Sequence, residues 1–316
     1  MLDELIQRIS AGDRIAVSQA ITLVENQLKG DRDLLARIFP HTGHALRIGI
    51  TGPPGAGKSS LTDRLIQQYR NLDLKVAVIG VDPTSPFSGG ALLGDRIRMT
   101  RHHGDSGVFI RSMASRGGHG GLARKTQEVG DIFDAAGYDV ILLETVGVGQ
   151  VELDVMQAAD TVLVVLVPES GDEIQMMKAG LMEIGDVFAI NKADRDGANK
   201  LMVTLQSLLG GHSTEPDEWR PAALKTIATK DVGIDELVKL LKEHQTHIQT
   251  TGLRQNKLND RYRRRVRDLT VQKFEFRFWT KTNEMMLQEE MQKQRLQRLS
   301  PYHLADLLFN NSHEFK

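Results

Sequence analysis

Residues 46–69 read LRIGITGPPGAGKSSLTDRLIQQY, and the fold follows from this stretch. An apolar run containing Ile48 and Ile50 enters a glycine-rich turn, and an amphipathic segment carrying Leu61, Leu65 and Ile66 leaves it. That order of strand, loop and helix is the context a phosphate-binding loop requires. The turn is Gly52, Pro53, Pro54, Gly55, Ala56, Gly57, Lys58 and Ser59, with Ser60 behind it. Glycines let the backbone curl so that successive amides converge on phosphate oxygens. The helix opening near Lys58 adds its positive dipole end, and the Lys58 ammonium reaches the outer phosphates. Ser59 stands where a hydroxyl can ligate Mg2+.

Around this loop, 316 residues give ample chain for a buried core. Forty basic side chains against 41 acidic ones leave a net charge of -1, so bulk charge points to neither nucleic acid nor a membrane surface. The absence of cysteine removes disulfides, thiolate metal sites and cysteine nucleophiles, and fits a reducing compartment. No apolar run approaches the ~20 residues of a membrane span. The opening MLDELIQRIS lacks an apolar signal core, which predicts a cytoplasmic protein.

The first 45 residues show helical spacing at Leu2, Leu5, Ile6 and Ile9, a break at Gly12-Asp13, and a second helical run from Ala16 to Leu28. They read as a helical N-terminal extension packed on the next domain. From residue 46 to 250, apolar runs at 46–51, 74–81, 107–111, 139–144, 160–167, 186–191 and 222–227 alternate with helical patterns near 58–70, 121–136, 152–158, 172–184, 197–209 and 233–248. Continuous Val, Ile and Leu runs separated by helices predict an α/β fold, a P-loop NTPase with a mostly parallel sheet sandwiched by helices. Residues 251–316 turn charged and helical. The basic run RYRRRVR (261–267) lies between Asp260 and Asp268, which favours a solvated or partner-facing helix over a nucleic-acid contact. Phe274, Phe276, Phe278 and Trp279 read as an apolar contact within the chain or between subunits, and Ser300-Pro301 as the start of a last helix. So short a region needs docking on the nucleotide domain or on a second subunit.

Ligands of parallel sheets bind beyond the carboxyl ends of the strands. The residues expected there are Asp82, Glu144, Asn191-Lys192-Ala193-Asp194 and Thr226-Ile227-Ala228. The Asp194 carboxylate can accept from guanine N1–H and the exocyclic amine together, whereas adenine offers no such pair. A site built in this way rejects the mismatched analogue by ~10^4 or more. Asn191 would brace the loop and Lys192 would lie along the base. Asp82, Asp95 and Glu144 are the candidate oxygen ligands that join Ser59 on Mg2+. In ETVGVGQ (144–150) the Gly147 amide is placed to sense a third phosphate, so that phosphate loss would move the loop that follows. The position after Gly147 is Val148, which cannot orient water. That leaves Gln150, Arg116 or a partner residue to complete hydrolysis, and slow intrinsic turnover is expected. The glycine-rich pieces at 85–96 and 115–125 read as segments ordered by ligand. His102, His103 and His119, without cysteines or a dense histidine tract, are not expected to form a metal site.

GPPGAGKSS, VDPTSPFSGGALLGDRIRM, FIRSMASRG, ETVGVGQVE, GDEIQMMKAGLMEIGDVFAINKADR and the terminal SPYHLADLL together resemble the MeaB-type GTPases, chaperones of adenosylcobalamin-dependent methylmalonyl-CoA mutase and related acyl-CoA mutases. The group was once labelled an arginine/ornithine transport kinase family. The resemblance implies a SIMIBI-class GTPase that binds GTP or GDP with Mg2+. It also implies a homodimer with a C-terminal dimerisation arm, whose nucleotide state gates cofactor delivery and protects or reactivates the mutase. On it, Lys58 and Ser59 match the phosphate-loop pair, Asp82, Asp95 and Glu144 the Mg2+ acids, and Asn191, Lys192 and Asp194 the guanine motif. The stretch around Asp172 and Lys178 resembles a mobile segment that couples nucleotide to the mutase. Two positions depart from the pattern: His119 stands for an apolar residue, and Thr226-Ile227-Ala228 stands for the usual Thr-Ser-Ala. A metal-delivery GTPase and a small-molecule or protein kinase are the competing classes. The first normally shows grouped Cys or His ligands, and the second needs an acceptor pocket with a positioned base.

Overall fold

The seven apolar runs become seven strands: β1 (Leu46–Thr51), β2 (Val76–Asp82), β3 (Val108–Ala114), β4 (Val140–Thr145), β5 (Thr161–Leu166), β6 (Val187–Ile190) and β7 (Ala222–Lys225). Every pairing among them is parallel, and their order across the sheet is β3-β2-β4-β1-β5-β6-β7. The computed structural model describes residues 2–82, 100–102, 104–114, 121–145, 147, 150–168, 180–210 and 218–311. The expected run at 222–227 ends as a strand at Lys225. Thr226 and the residues after it leave the ladder to form a turn beside Asn191.

β1, β4, β5 and β6 are buried along their whole length, the burial that helices on both faces impose on a parallel sheet. Alternate residues feed opposite cores, because successive side chains of a strand point to opposite faces. Ile141 and Leu143 of β4 join one core, while Val140 and Leu142 join the other. The first core is closed by α1 (Leu2–Ser10), α2 (Arg14–Glu25), α3 (Asp31–Ile38), α5 (Gly121–Ala135) and α8 (Ala198–Leu209). The second is closed by α4 (Lys58–Asn71) and α9 (Ile234–Thr250) through Leu61, Leu65, Ile66, Ile234, Leu237 and Leu241. Each such aliphatic side chain, fully buried, stabilises by roughly 1.5–3 kcal/mol. Two shorter helices, α6 (Gln150–Met156) and α7 (Leu181–Ile184), lie in the described parts of the β4–β5 and β5–β6 connections; the expected helix at 172–184 is described only over α7.

The N-terminal helices are part of this core. Ile9, Val17, Ile21 and Leu34 are buried within it, and Phe109, Phe133 and Tyr138 stack edge to face beneath them at 5.1–6.4 Å. Asp13, at the break expected from sequence, caps α2 by accepting from Ile15 N and Ala16 N. At the amino ends of the strands, the Asp134 carboxylate accepts from Gly43, His44 and Ala45 N, which fixes the entry into β1.

The chain divides into two compact units, Met1–Leu258 and Asn259–Lys316. The long helix α10 (Leu253–Phe278) begins in the first unit. The second unit adds α11 (Lys281–Gln292) and α12 (Pro301–Asn311). Within it, Glu290 accepts from Leu299 N and Lys293 Nζ, Asn283 Nδ2 donates to Phe278 O, and the Ser300 hydroxyl accepts from His303 N at the start of α12. Phe276, Leu296 and Tyr302 in this unit are 87%, 100% and 84% exposed. Among the described residues no helix is long and apolar enough to cross a membrane.

Candidate nucleotide-binding site

A parallel sheet sets the carboxyl ends of all its strands on one edge, and the candidate residues sit there. The loop from Gly52 to Gly57 joins β1 to α4. Gly52 has φ 144°, and a Cβ on it would lie 2.1 Å from Val165 O, so only glycine lets the loop pass β5. A Cβ on Gly57 (φ 86°) would come within 2.4 Å of Asn191 Nδ2. The loop therefore lies directly against the Asn191 side chain.

Lys58 Nζ donates to Gly52 O (2.7 Å) and Pro53 O (3.0 Å), which holds the ammonium at the loop that it serves. Ser59 Oγ donates to the buried Glu144 carboxylate at 2.5 Å. Val140 and Leu142 face the α4 core, and strand alternation carries Glu144 to the same side. Asp82, described by its backbone, ends β2 beside β4. The Thr145 hydroxyl lies 3.3 Å from both Thr51 Oγ1 and Gly147 O.

Asn191 is 2% exposed and joins three loops. Its Nδ2 donates to Ala56 O (2.9 Å), and its Oδ1 accepts from Ala228 N (3.1 Å) and the Thr226 hydroxyl (3.3 Å). Lys192 follows in the left-handed region at φ 57°. Ala193 N donates to Thr226 O, pairing the two turns. Asp194 reaches solvent and accepts from Lys230 Nζ at 3.0 Å. That hydrogen bond is the leading cause holding its carboxyl below the usual carboxylate range. Ile227, half-buried, supplies the backbone corner between Thr226 and the buried Ala228.

The structure thus brings together the phosphate loop, Glu144 and the Asn191–Asp194 and Thr226–Ala228 turns. Gln150 opens α6 and is described by its backbone. Asp95, Arg116, Val148, His103, His119, Asp172 and Lys178 lie outside the described residues. His102 is buried with Nε2 3.1 Å from Asp63 Oδ1 of α4. Among the described residues no group of three or more His, Asp or Glu side chains gathers around a metal position.

Two residues at this edge escaped the sequence reading. Lys230 pairs with Asp194, and Arg64 of α4 donates from Nε to Ala228 O at 3.0 Å. Both carry ordinary surface charge in the sequence, and only the approach of separate loops gives them a partner.

Chemically, the edge offers a helix N-terminus and an ammonium for phosphate, a hydroxyl and carboxylate pair for a hard cation, and a solvent-reaching carboxylate, held on one oxygen by Lys230, for a paired donor edge. The family described as methylmalonyl Co-A mutase-associated GTPase MeaB matches residues 17–283. A Pyrococcus abyssi protein, provisionally named a GTPase, is 52% identical over 270 residues, covering 85% of this chain and 82% of that protein. The GTPase ArgK of Escherichia coli is 38% identical, over 79% of this chain and 78% of its own length. The crystal structure of an LAO/AO transport system kinase superposes with a TM-score of 0.72 at 29% identity, covering 98% of this chain and 96% of that one.

Proposed function

This chain belongs to the MeaB family of methylmalonyl-CoA mutase-associated GTPases. From that premise we propose that it is a chaperone that couples GTP binding and hydrolysis to cofactor loading, protection or reactivation of an adenosylcobalamin-dependent acyl-CoA mutase. The observation that carries the nucleotide side of this reading is the hydrogen bond from Asn191 Nδ2 to Ala56 O, which locks the base-reading turn to the phosphate loop.

In this reading the backbone amides of residues 52–57, with Ser60 behind them, wrap the phosphates of GTP or GDP. Lys58 supplies the positive charge at the outer phosphates. Asp194 accepts from guanine N1–H and the exocyclic amine, Lys192 lies along the base, and residues 226–228 line its edge. The hydrogen-bonded Ser59 hydroxyl and Glu144 carboxylate are hard oxygen donors that fit Mg2+, with Asp82 and Asp95 as further ligands. Bound there, Mg2+ would neutralise charge on the phosphate oxygens. Gly147 reports the third phosphate, and Gln150, Arg116 or a residue of the mutase completes hydrolysis. Residues 251–316 hold two copies together as a homodimer, a role supported by the exposed apolar side chains of that unit.

The test is phosphate release from GTP by the purified protein, alone and with an adenosylcobalamin-dependent acyl-CoA mutase, with ATP as control. We expect slow turnover alone, several-fold stimulation by the mutase and no turnover of ATP. Turnover above a few per second without a partner would contradict an incomplete catalytic set. Transfer of labelled phosphate to a small-molecule or protein acceptor would instead favour the kinase activity named for the solved relative.

A further inference from the structure

Asp194 stands on an exposed turn, with its side chain 39% exposed, so burial does little to select its rotamer. The contact that does is the Lys230 ammonium on Oδ2 at 3.0 Å. The backbone that carries Lys230 is held firmly. It closes the one-turn helix Ala228–Lys230, its N–H donates to Ile227 O, and Asp231 follows at φ 59°. Ile227 and Val232 bond to each other across the base of this turn at 2.9 and 3.3 Å. Beyond it, Gly233 (φ 76°) passes so close to Lys225 that a Cβ would lie 2.2 Å from its carbonyl oxygen. The turn is also held from outside, because Ala228 N donates to Asn191 Oδ1 and Ala228 O accepts from Arg64 Nε of the phosphate-loop helix.

We propose that Lys230 is a positioning and specificity residue for GTP, which fixes the Asp194 carboxylate in the orientation that reads guanine. The inference rests on Asp194 being the base-reading group. A carboxylate offers about four lone-pair sites, so one taken by Lys230 still leaves acceptors for two guanine donors. The charges facing this carboxylate are Lys230 from the opposite turn and Arg195 from its own. Arg64, 3.9 Å from Asp231, ties the same turn to α4. The base is therefore read by a carboxylate whose support comes from the 226–231 turn, and that turn is anchored on the helix that carries Ser59.

The experiment uses the full chain and compares Lys230→Met, Lys230→Arg and Asp194→Asn with wild type. Affinities for GTP, ITP and XTP are measured by competition against a fluorescent guanine nucleotide, alongside thermal melting. ITP lacks the exocyclic amine and engages the carboxylate through N1–H alone. Lys230→Met should weaken GTP about twofold to fivefold, the scale of an exposed ion pair, and weaken ITP less, so the GTP-to-ITP ratio narrows. Lys230→Arg should restore the ratio, and melting should be unchanged because the Lys230 side chain is 62% exposed. An unchanged ratio in Lys230→Met, or failure of Lys230→Arg to restore it, overturns the role of Lys230. Asp194→Asn separates the two levels of the argument. Its amide should lower GTP affinity and favour XTP, which presents a carbonyl where guanine has its amine. If Asp194→Asn keeps the preference for GTP, base reading by Asp194 falls and the proposal falls with it. If it loses that preference while Lys230→Met behaves as wild type, only the assignment of Lys230 falls.

Discussion

The Asn191 carboxamide donates to Ala56 O and accepts from Ala228 N and the Thr226 hydroxyl, all at buried positions. Asn191→Ala leaves the Ala56 carbonyl and the Ala228 N–H without their partner, and each unmet buried group costs ~1–3 kcal/mol. We expect a loss of about 2–4 kcal/mol in denaturant unfolding together with much weaker GTP binding. A variant with wild-type stability would mean that the three loops are held together by something else. The sequence placed Asn191 in this bracing role because it follows an apolar run in NKAD. It did not identify Ala56 or Ala228 as the groups braced, since 135 and 37 residues separate them from it.

At the scale of elements, the amino ends of β5 and β6 show how α9 and the start of α10 are pinned to the sheet. Asp186 accepts from Val162 N at 2.8 Å and lies 3.4 Å from His244 Nε2 of α9 and 3.5 Å from Lys257 Nζ of α10. The other ring nitrogen of His244 is within hydrogen-bonding distance of the Thr161 hydroxyl, and Trp219 meets the ring edge-on while donating to Asp186 O. Burial raises the Asp186 carboxyl, but the His244 hydrogen bond, the Lys257 charge and the Val162 N–H outweigh it and hold it below the usual range. A carboxyl depressed on folding adds stability above its unfolded value of ~3.9, and that stability is lost as pH falls through the folded value. Asp186→Asn should therefore destabilise by roughly 1–3 kcal/mol at neutral pH, with the difference from wild type shrinking below about pH 4. Unfolding measured from pH 7 to pH 3 checks this, and a difference independent of pH would reject it. None of this pinning was legible in the sequence, where Asp186 was simply the polar residue at the start of an apolar run.

At the scale of the whole molecule, the second unit exposes Phe276 and Leu296 almost completely. Exposed apolar side chains on a small helical unit suit an interface between two copies. Light scattering should show a dimer for wild type. Phe276→Asp combined with Leu296→Asp should give a monomer with unchanged helix content. A monomeric wild type, or a dimeric double variant, would reject residues 251–316 as the dimerisation region.

The sequence by itself determined the seven strands, the mostly parallel character of their sheet, and the phosphate loop and NKAD as candidate ligand-binding motifs. Continuous aliphatic runs, a glycine turn before an amphipathic segment and NKAD after a strand are local patterns, set by hydrogen bonding and burial within a few residues. Only the tertiary structure decided the strand order and which side chains of the N-terminal helices enter the core of the sheet. It also decided the end of β7 at Lys225 and the partners Lys230 and Arg64. These depend on which elements meet in space. A charged side chain in a turn has the same local signature whether it faces water or a carboxylate brought to it from 36 residues away.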